Sequence, residues 1–339
     1  MTAVRAQEDR VKAGQERALA LYIRRVVAPH SPLHGPELRG NPVRGIGDLS
    51  RIAARRLCDI EPEQLVLKPT PDSITSGGDL SLAARMVWAQ VTRSIIQFNR
   101  DVVEPAFKPI HWMLSDEVPV GSTADDLERL GEIGRAGLEH AGLTSEDSLA
   151  MLDLDPSGLP FWQISLGARR AGIGVLHTSA EDEETLLATA PTVVVGPTAS
   201  LIAAAGGSPR IRAVIATDGP LDDVRRGTLA GIASRVISLW TPPGARSAWF
   251  ECTEATGFHT WPATEIVQVA DDGELLWTPI QWKGSVLLRT RTGASGVVVD
   301  ERCGACGRTG SRVVPTTIAP RAAGGTKPKK PASGGRAAR

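Results

Sequence analysis

Cys303 and Cys306 stand three positions apart between glycines and arginines, in the run DERCGACGRTGSR over residues 300–312 of a 339-residue chain. A two-residue gap lets two thiolates point at one ion, and the glycines permit the tight turn this requires. That supplies half a tetrahedron. Upstream, in ECTEATGFH, Cys252 and His259 bracket a second short turn and offer the other half. Three cysteines and one histidine form an ordinary zinc set, and a closed four-ligand site is structural, not catalytic. The plainer alternative makes Cys252 a small core hydrophobe, His259 a hydrogen-bonded histidine and the pair a bare turn. A redox pair is the third reading, but the strand-then-helix setting of such motifs is missing. The spacing favours zinc at Cys252, His259, Cys303 and Cys306. The remaining cysteine, Cys58, is expected in the core.

The rest of the chain must position these groups. With 42% hydrophobic and 22% charged residues it can bury a large core. Its 38 basic and 38 acidic side chains cancel, so no overall field recruits nucleic acid or an anionic membrane. The opening residues are charged throughout, and no stretch approaches the ~20 apolar residues of a membrane span. A cytoplasmic setting is expected, where disulfides are rare and a close cysteine pair more often holds metal.

Residues 1–30 read as a helix with an apolar stripe through Leu19, Ile23, Val26 and Val27. Helical spacing also runs from Leu80 to Val103, and from a Thr123 cap to Gly142. Beyond these, helical patterns alternate with short β-branched runs, and Val193, Val194, Val195, Val214 and Ile215 read as buried parallel strands. This is an α/β pattern. From Trp249 the texture changes to alternating stretches with glycine turns, which predicts a mostly antiparallel β-subdomain. The implied organisation is a helical N-terminal arm over 1–40, an α/β body over 41–248, the β-subdomain with the zinc site over 249–314 and a basic, disordered tail over 315–339. The tail is read as solvated, with no specific nucleic-acid role.

The order of the last segments carries a resemblance. FHTWPATEIVQVADDGELLWTP, then LLRTRTGA, then CGACGRTGSR resembles the phenylacetate-coenzyme A ligase branch of the adenylate-forming enzymes. In that branch a glycine-glutamate turn, an arginine-tyrosine-arginine-threonine-glycine-aspartate run and a cysteine-glycine-arginine segment follow in this order. GIGDLSRIAARRLCDI, TAPTVVVGPTASLIAAA and ATDGPLDDVRRGTLAGIASRVI resemble its earlier segments. The likeness spans about residues 40 to 314 and is specific in the last seventy. It implies the large N-terminal-type domain of an adenylate-forming ligase, and a structural zinc at Cys252, His259, Cys303 and Cys306 like that of several members.

Such enzymes join a carboxylate to the α-phosphate of ATP and then pass the acyl group to coenzyme A. Their phosphate loop uses small residues that let backbone N–H groups and hydroxyls approach phosphate oxygens. Here Thr75, Ser76 and Gly77 in DSITSGGDL are the candidates, although Asp79 would repel phosphates, and a cap of the following helix is the structural alternative. Trp240 in SLWTPPGAR could stack on a base, but the glutamate that would hold magnesium is absent. Arg291 survives in LLRTRTGA, while Ala294 stands where the family has its ribose-binding aspartate. The mobile C-terminal domain with its catalytic lysine is also missing from the pattern. These departures count against ATP, AMP and magnesium, and no catalytic residue is assigned. Two readings stay open. One is a non-catalytic protein that keeps the ligase cavity for a small carboxylic acid, acyl or aryl ligand, or the ligase surface for a protein partner or a second copy. The other is an AMP-forming carboxylate-coenzyme A ligase whose chemistry is altered or completed by a partner.

Overall fold

The computed structural model describes residues 2–206, 211–251 and 255–317. Cys252 and the segment from 318 onward lie outside the described residues.

The chain opens with helix α1 (Thr2–Tyr22), which passes through a π-helical turn (Ile23–Val27) into α2 (Ala28–His30). The expected stripe is the buried face: Leu19, Ile23 and Val27 are enclosed, and Val26 is half-buried. This arm does not pack by itself. Its core includes Ile266, Ile280, Val286 and Leu288 from far along the chain. Polar contacts fix the same union: the Tyr22 hydroxyl donates to the Trp282 carbonyl at 2.5 Å, and Gln15 Nε2 to the Glu265 carbonyl at 2.7 Å. Buried His34 accepts from the Leu288 N–H at 3.0 Å through Nε2.

Two short helices follow, α3 (Pro71–Ser76) and α4 (Leu80–Val91). The helical pattern read from Leu80 to Val103 is not one helix. It stops at Val91 and restarts at Ile95, because the Thr92 hydroxyl bonds to the Trp88 carbonyl and to Ser94, and Arg93 takes φ 56°. Short hydroxyl side chains that hydrogen-bond locally compete with helix continuation in this way. Cys58, expected in the core, is exposed.

The body begins with a hairpin of β1 (His111–Ser115) and β2 (Val118–Ser122) and then α5 (Ala124–His140). Thr123 and Asp126 form a reciprocal capping box at its start. The buried Asp126 carboxylate also accepts from the backbone N–H groups of Lys283, at 3.0 Å, and Gly284, at 2.7 Å. Helix α6 (Leu159–Ala171) lies against α5 at backbone contact, since a Cβ on Gly134 would sit 2.0 Å from the Gln163 carbonyl oxygen.

Parallel strands β3 (Ser148–Leu152), β4 (Gly174–Thr178), β5 (Val193–Gly196), β6 (Ala213–Ala216) and β7 (Arg235–Trp240) alternate with helices. As the β-branched runs predict, β5 and β6 are fully buried. Then come β8 (Trp249–Glu251), β9 (Phe258–His259), β10 (Glu265–Val269), β11 (Glu274–Pro279), β12 (Thr290–Val299) and β13 (Arg312–Thr317), all joined antiparallel. The two halves are one 11-stranded sheet, ordered β10-β11-β12-β13-β9-β8-β7-β6-β5-β3-β4. The composition change at Trp249 therefore marks a switch of strand direction within a shared sheet, where Leu239 pairs with Phe250 and Trp240 with Trp249. Strand β13 runs to Thr317, three residues into the segment read as tail.

The antiparallel half is organised about Glu265, which is 1% exposed. One carboxylate oxygen accepts from Trp249 Nε1 at 2.7 Å and the Trp261 N–H at 2.8 Å. The other accepts from Trp277 Nε1 at 2.7 Å and from the Ser247 hydroxyl. Burial pushes the Glu265 carboxyl up to about 7 against the pull of these donors. Because the folded value lies above the unfolded one, this contribution to stability is complete below pH about 4.5 and is lost as pH rises through about 7. The swing is on the order of 3 kcal/mol. Glu265→Gln should abolish that slope in denaturant melts from pH 4.5 to 8. At pH 6 it should destabilise by about 1–3 kcal/mol, because the amide must turn its own N–H groups toward donors. An unchanged slope in the variant would contradict the assignment.

Candidate metal centre

Strand β9 places His259 between β8 and β13, opposite Phe250 on one side and Arg312 on the other, and leaves it 2% exposed. The chain leaves β12 and turns through Cys303, Gly304, Ala305 and Cys306. The turn is closed by the Gly307 N–H on the Cys303 carbonyl at 2.8 Å, and the Cys303 N–H on the Arg308 carbonyl at 2.9 Å. Gly307 carries the left-handed conformation, φ 71°, that a side chain would resist. Gly304 is not in that region, so only the trailing glycine is demanded by backbone geometry.

This turn brings Cys306 Sγ to 3.3 Å from His259 Nε2. Cys303 is buried, with Sγ 3.6 Å from the Thr256 hydroxyl and 3.6 Å from an Arg312 guanidinium nitrogen. A third donor comes from another element. His140, in the last turn of α5, crosses the His259 ring edge to face, with centroids 4.8 Å apart. The donor atoms of His140, His259 and Cys306 all lie within 4.8 Å of one another.

The electrostatics favour donor states. Burial holds the His259 imidazole down to about 3, helped by His140, Arg308 and Arg312, and holds His140 down to about 4, helped by Arg308 and Arg235. Both are neutral at ordinary pH, as metal ligation requires. At Cys303 burial raises the thiol, but hydrogen bonds from the Cys306 and Ala305 backbone and from Thr256 outweigh it and lower the thiol to about 6. A ready thiolate, a second thiol and neutral imidazoles suit zinc or another thiophilic ion better than magnesium or calcium. Of the four expected ligands, the structure joins His259 to Cys306 and seats Cys303 in the same turn. Cys252 lies outside the described residues.

The nucleotide candidates sit in ordinary structural surroundings. Thr75 and Ser76 form the end of α3, where the Thr75 hydroxyl donates to the Pro71 and Asp72 carbonyls and the Ser76 hydroxyl to that of Asp72. Gly77 packs against Pro29 of the arm. Asp79 caps α4 by accepting from the Ser81 and Leu82 N–H groups. Trp240 is 5% exposed, edge to face with Trp249 and Phe258. Arg291 is paired with Asp272 and, at 2.7 Å, with Glu274. Ala294 belongs to the hydrophobic core.

No protein-family model matches the chain. No curated protein matches it either. Solved structures do. A 2-hydroxyisobutyryl-CoA ligase, in complex with 2-HIB-AMP and CoA in its thioesterification state, superposes with TM-score 0.64 at 11% identity, over 91% of this chain and 67% of that one. The same ligase in its postadenylation state gives 0.64 at 13% identity over 91% and 66%. In an open conformation it gives 0.60 at 12% over 88% and 72%. The chain therefore has the fold of an adenylate-forming CoA ligase and spans about two thirds of the length of the first two matches. No helix among the described residues is long and apolar enough to cross a membrane.

If the turn holds a structural ion, metal analysis of purified protein should find about one zinc per chain, and both Cys303→Ser and Cys306→Ser should lose it together with thermal stability. A metal-free wild type with unaltered stability in chelator would refute this.

Proposed function

We propose that this protein is a phenylacetate-coenzyme A ligase-like protein that does not catalyse adenylation. In this reading it binds a small carboxylic acid, acyl or aryl ligand, or a protein partner, on a ligase fold stapled by zinc at Cys303, Cys306, His259 and either Cys252 or a further donor.

One observation carries the reading above the others. Ala294, aligned by the resemblance with the ribose-binding aspartate, is 5% exposed and part of the hydrophobic core. A carboxylate there would be desolvated without a partner, and such burial is costly. The neighbouring strand groups agree, because Arg291 is already ion-paired with Asp272 and Glu274. Likewise the Thr75 and Ser76 hydroxyls are engaged by their own helix. Removing a single electrostatic donor from an active site can lower the rate on the order of 100-fold, and here several candidate groups are committed elsewhere.

A second reading, an AMP-forming ligase completed by a partner, is favoured by the fold match to a ligase seen with 2-HIB-AMP and CoA. A pyrophosphate-release assay separates the two. With magnesium, ATP and a panel of short, aryl and long-chain acids, the purified chain should show no acid-dependent pyrophosphate above background. Robust release with any acid would overturn the non-catalytic reading.

A further inference from the structure

We infer that His140 is itself a metal ligand, so that the ion is held by Cys303, Cys306, His259 and His140 and ties the C-terminal end of helix α5 to the antiparallel half of the sheet. The inference rests on the metal-centre reading but concerns a residue and a helix which that reading does not require.

His140 Nε2 is buried and without a hydrogen-bond partner among the described residues. An unpaired nitrogen of this kind is costly in a protein interior, and bound metal is one of the few ways to satisfy it. The ring faces donors: its ligand atom lies within 4.8 Å of His259 and Cys306, and the latter two are already 3.3 Å apart. Tetrahedral zinc with bonds of about 2.0–2.3 Å needs its donors about 3.3–3.8 Å apart. Side-chain adjustment of about 1 Å at His140 brings His140, His259 and Cys306 to that geometry, and Cys303, which lies outside this trio in contact with Thr256 and Arg312, completes it by turning its Sγ toward the ion.

The backbone also favours a cation here. Helix α5 is 17 residues long, and His140 is its last residue, where the macrodipole presents partial negative charge. Two thiolates and two imidazoles around a divalent ion form a neutral centre, which limits the penalty of burying it. Arg312 donates to the Thr256 hydroxyl and to Cys303 Sγ, the latter a common outer-sphere contact to a ligating thiolate, and Arg308 lies 5.0 Å over the Trp261 ring. The ion then bridges the C-terminal end of α5 and the turn after β12.

Competition with a chromophoric chelator should show His140→Ala and His140→Gln binding zinc more weakly by well over 100-fold, beyond the roughly tenfold to hundredfold typical of an outer-sphere change. In the cobalt-substituted protein their d–d bands should shift, whereas Cys252→Ser should keep the wild-type affinity and spectrum. Should the His140 variants fail to fold, wild-type protein with labelled histidine and an NMR-active cadmium isotope answers the question, since two imidazoles coupled to cadmium are expected. Coupling to one imidazole, wild-type affinity in the His140 variants, or loss of metal in Cys252→Ser with His140→Gln intact would overturn the assignment and leave the zinc reading standing. Failure of wild-type protein to bind zinc or cadmium would overturn both.

Discussion

A single buried carboxylate sets the geometry of the antiparallel half. Glu265 cannot be left in an apolar interior without donors, and the four it receives arrive from three separate stretches of the chain: Ser247 with Trp249, Trp261, and Trp277. Satisfying it fixes the loop before β8, the turn after β9 and the register of β11 against β10. The consequences spread outward. With Trp261 held, its indole donates to the Ala248 carbonyl, and Gln163 of α6 clamps both polar groups of Ala248. Gln15 of the arm binds the Glu265 carbonyl, and Tyr22 reaches the carbonyl of Trp282, whose indole in turn holds Thr264. The arm, the helical layer and the sheet therefore meet around one strand start.

That dependence explains what could be read from the sequence. Periodicity and β-branched runs announce local structure, so the parallel strands, the Thr123 cap and the arm's apolar stripe were all legible. The two-residue cysteine gap was legible too, because it is a local signal, and so was its association with His259. His140 was not. A histidine in the last turn of a helix has no spacing relation to a turn more than a hundred positions later, and only the packing of α5 on β8 brings it there. Glu265 was invisible for the same reason, since an acidic residue at the head of an alternating strand ordinarily faces water. The break at Thr92 marks the opposite error, where local apolar pattern suggested a continuity that side-chain hydrogen bonds interrupt, and Cys58, assigned to the core only as the cysteine left over from the metal set, lies at the surface.

The ligase likeness is one of architecture, and architecture alone does not transmit chemistry. Phosphate, ribose and base recognition each require polar groups or an aromatic face left free for the ligand. In this protein the groups that the resemblance points to have intramolecular partners: hydroxyls closing a helix turn, an arginine between two carboxylates and an indole packed among aromatic rings. The metal centre has the reverse character, with a neutral imidazole lacking a partner and a thiol depressed toward its anion. The proposed affinity for a small soft cation and the proposed indifference to nucleotide both rest on this distribution of satisfied and unsatisfied groups.

Calorimetric titration of AMP and of ATP with magnesium into the purified chain tests this most directly, because it asks for binding alone and does not depend on finding the right acid. The account predicts no binding heat up to ligand concentrations of about 1 mM, equivalent to an affinity weaker than about −4 kcal/mol. A saturable isotherm with a micromolar dissociation constant for either nucleotide would contradict it.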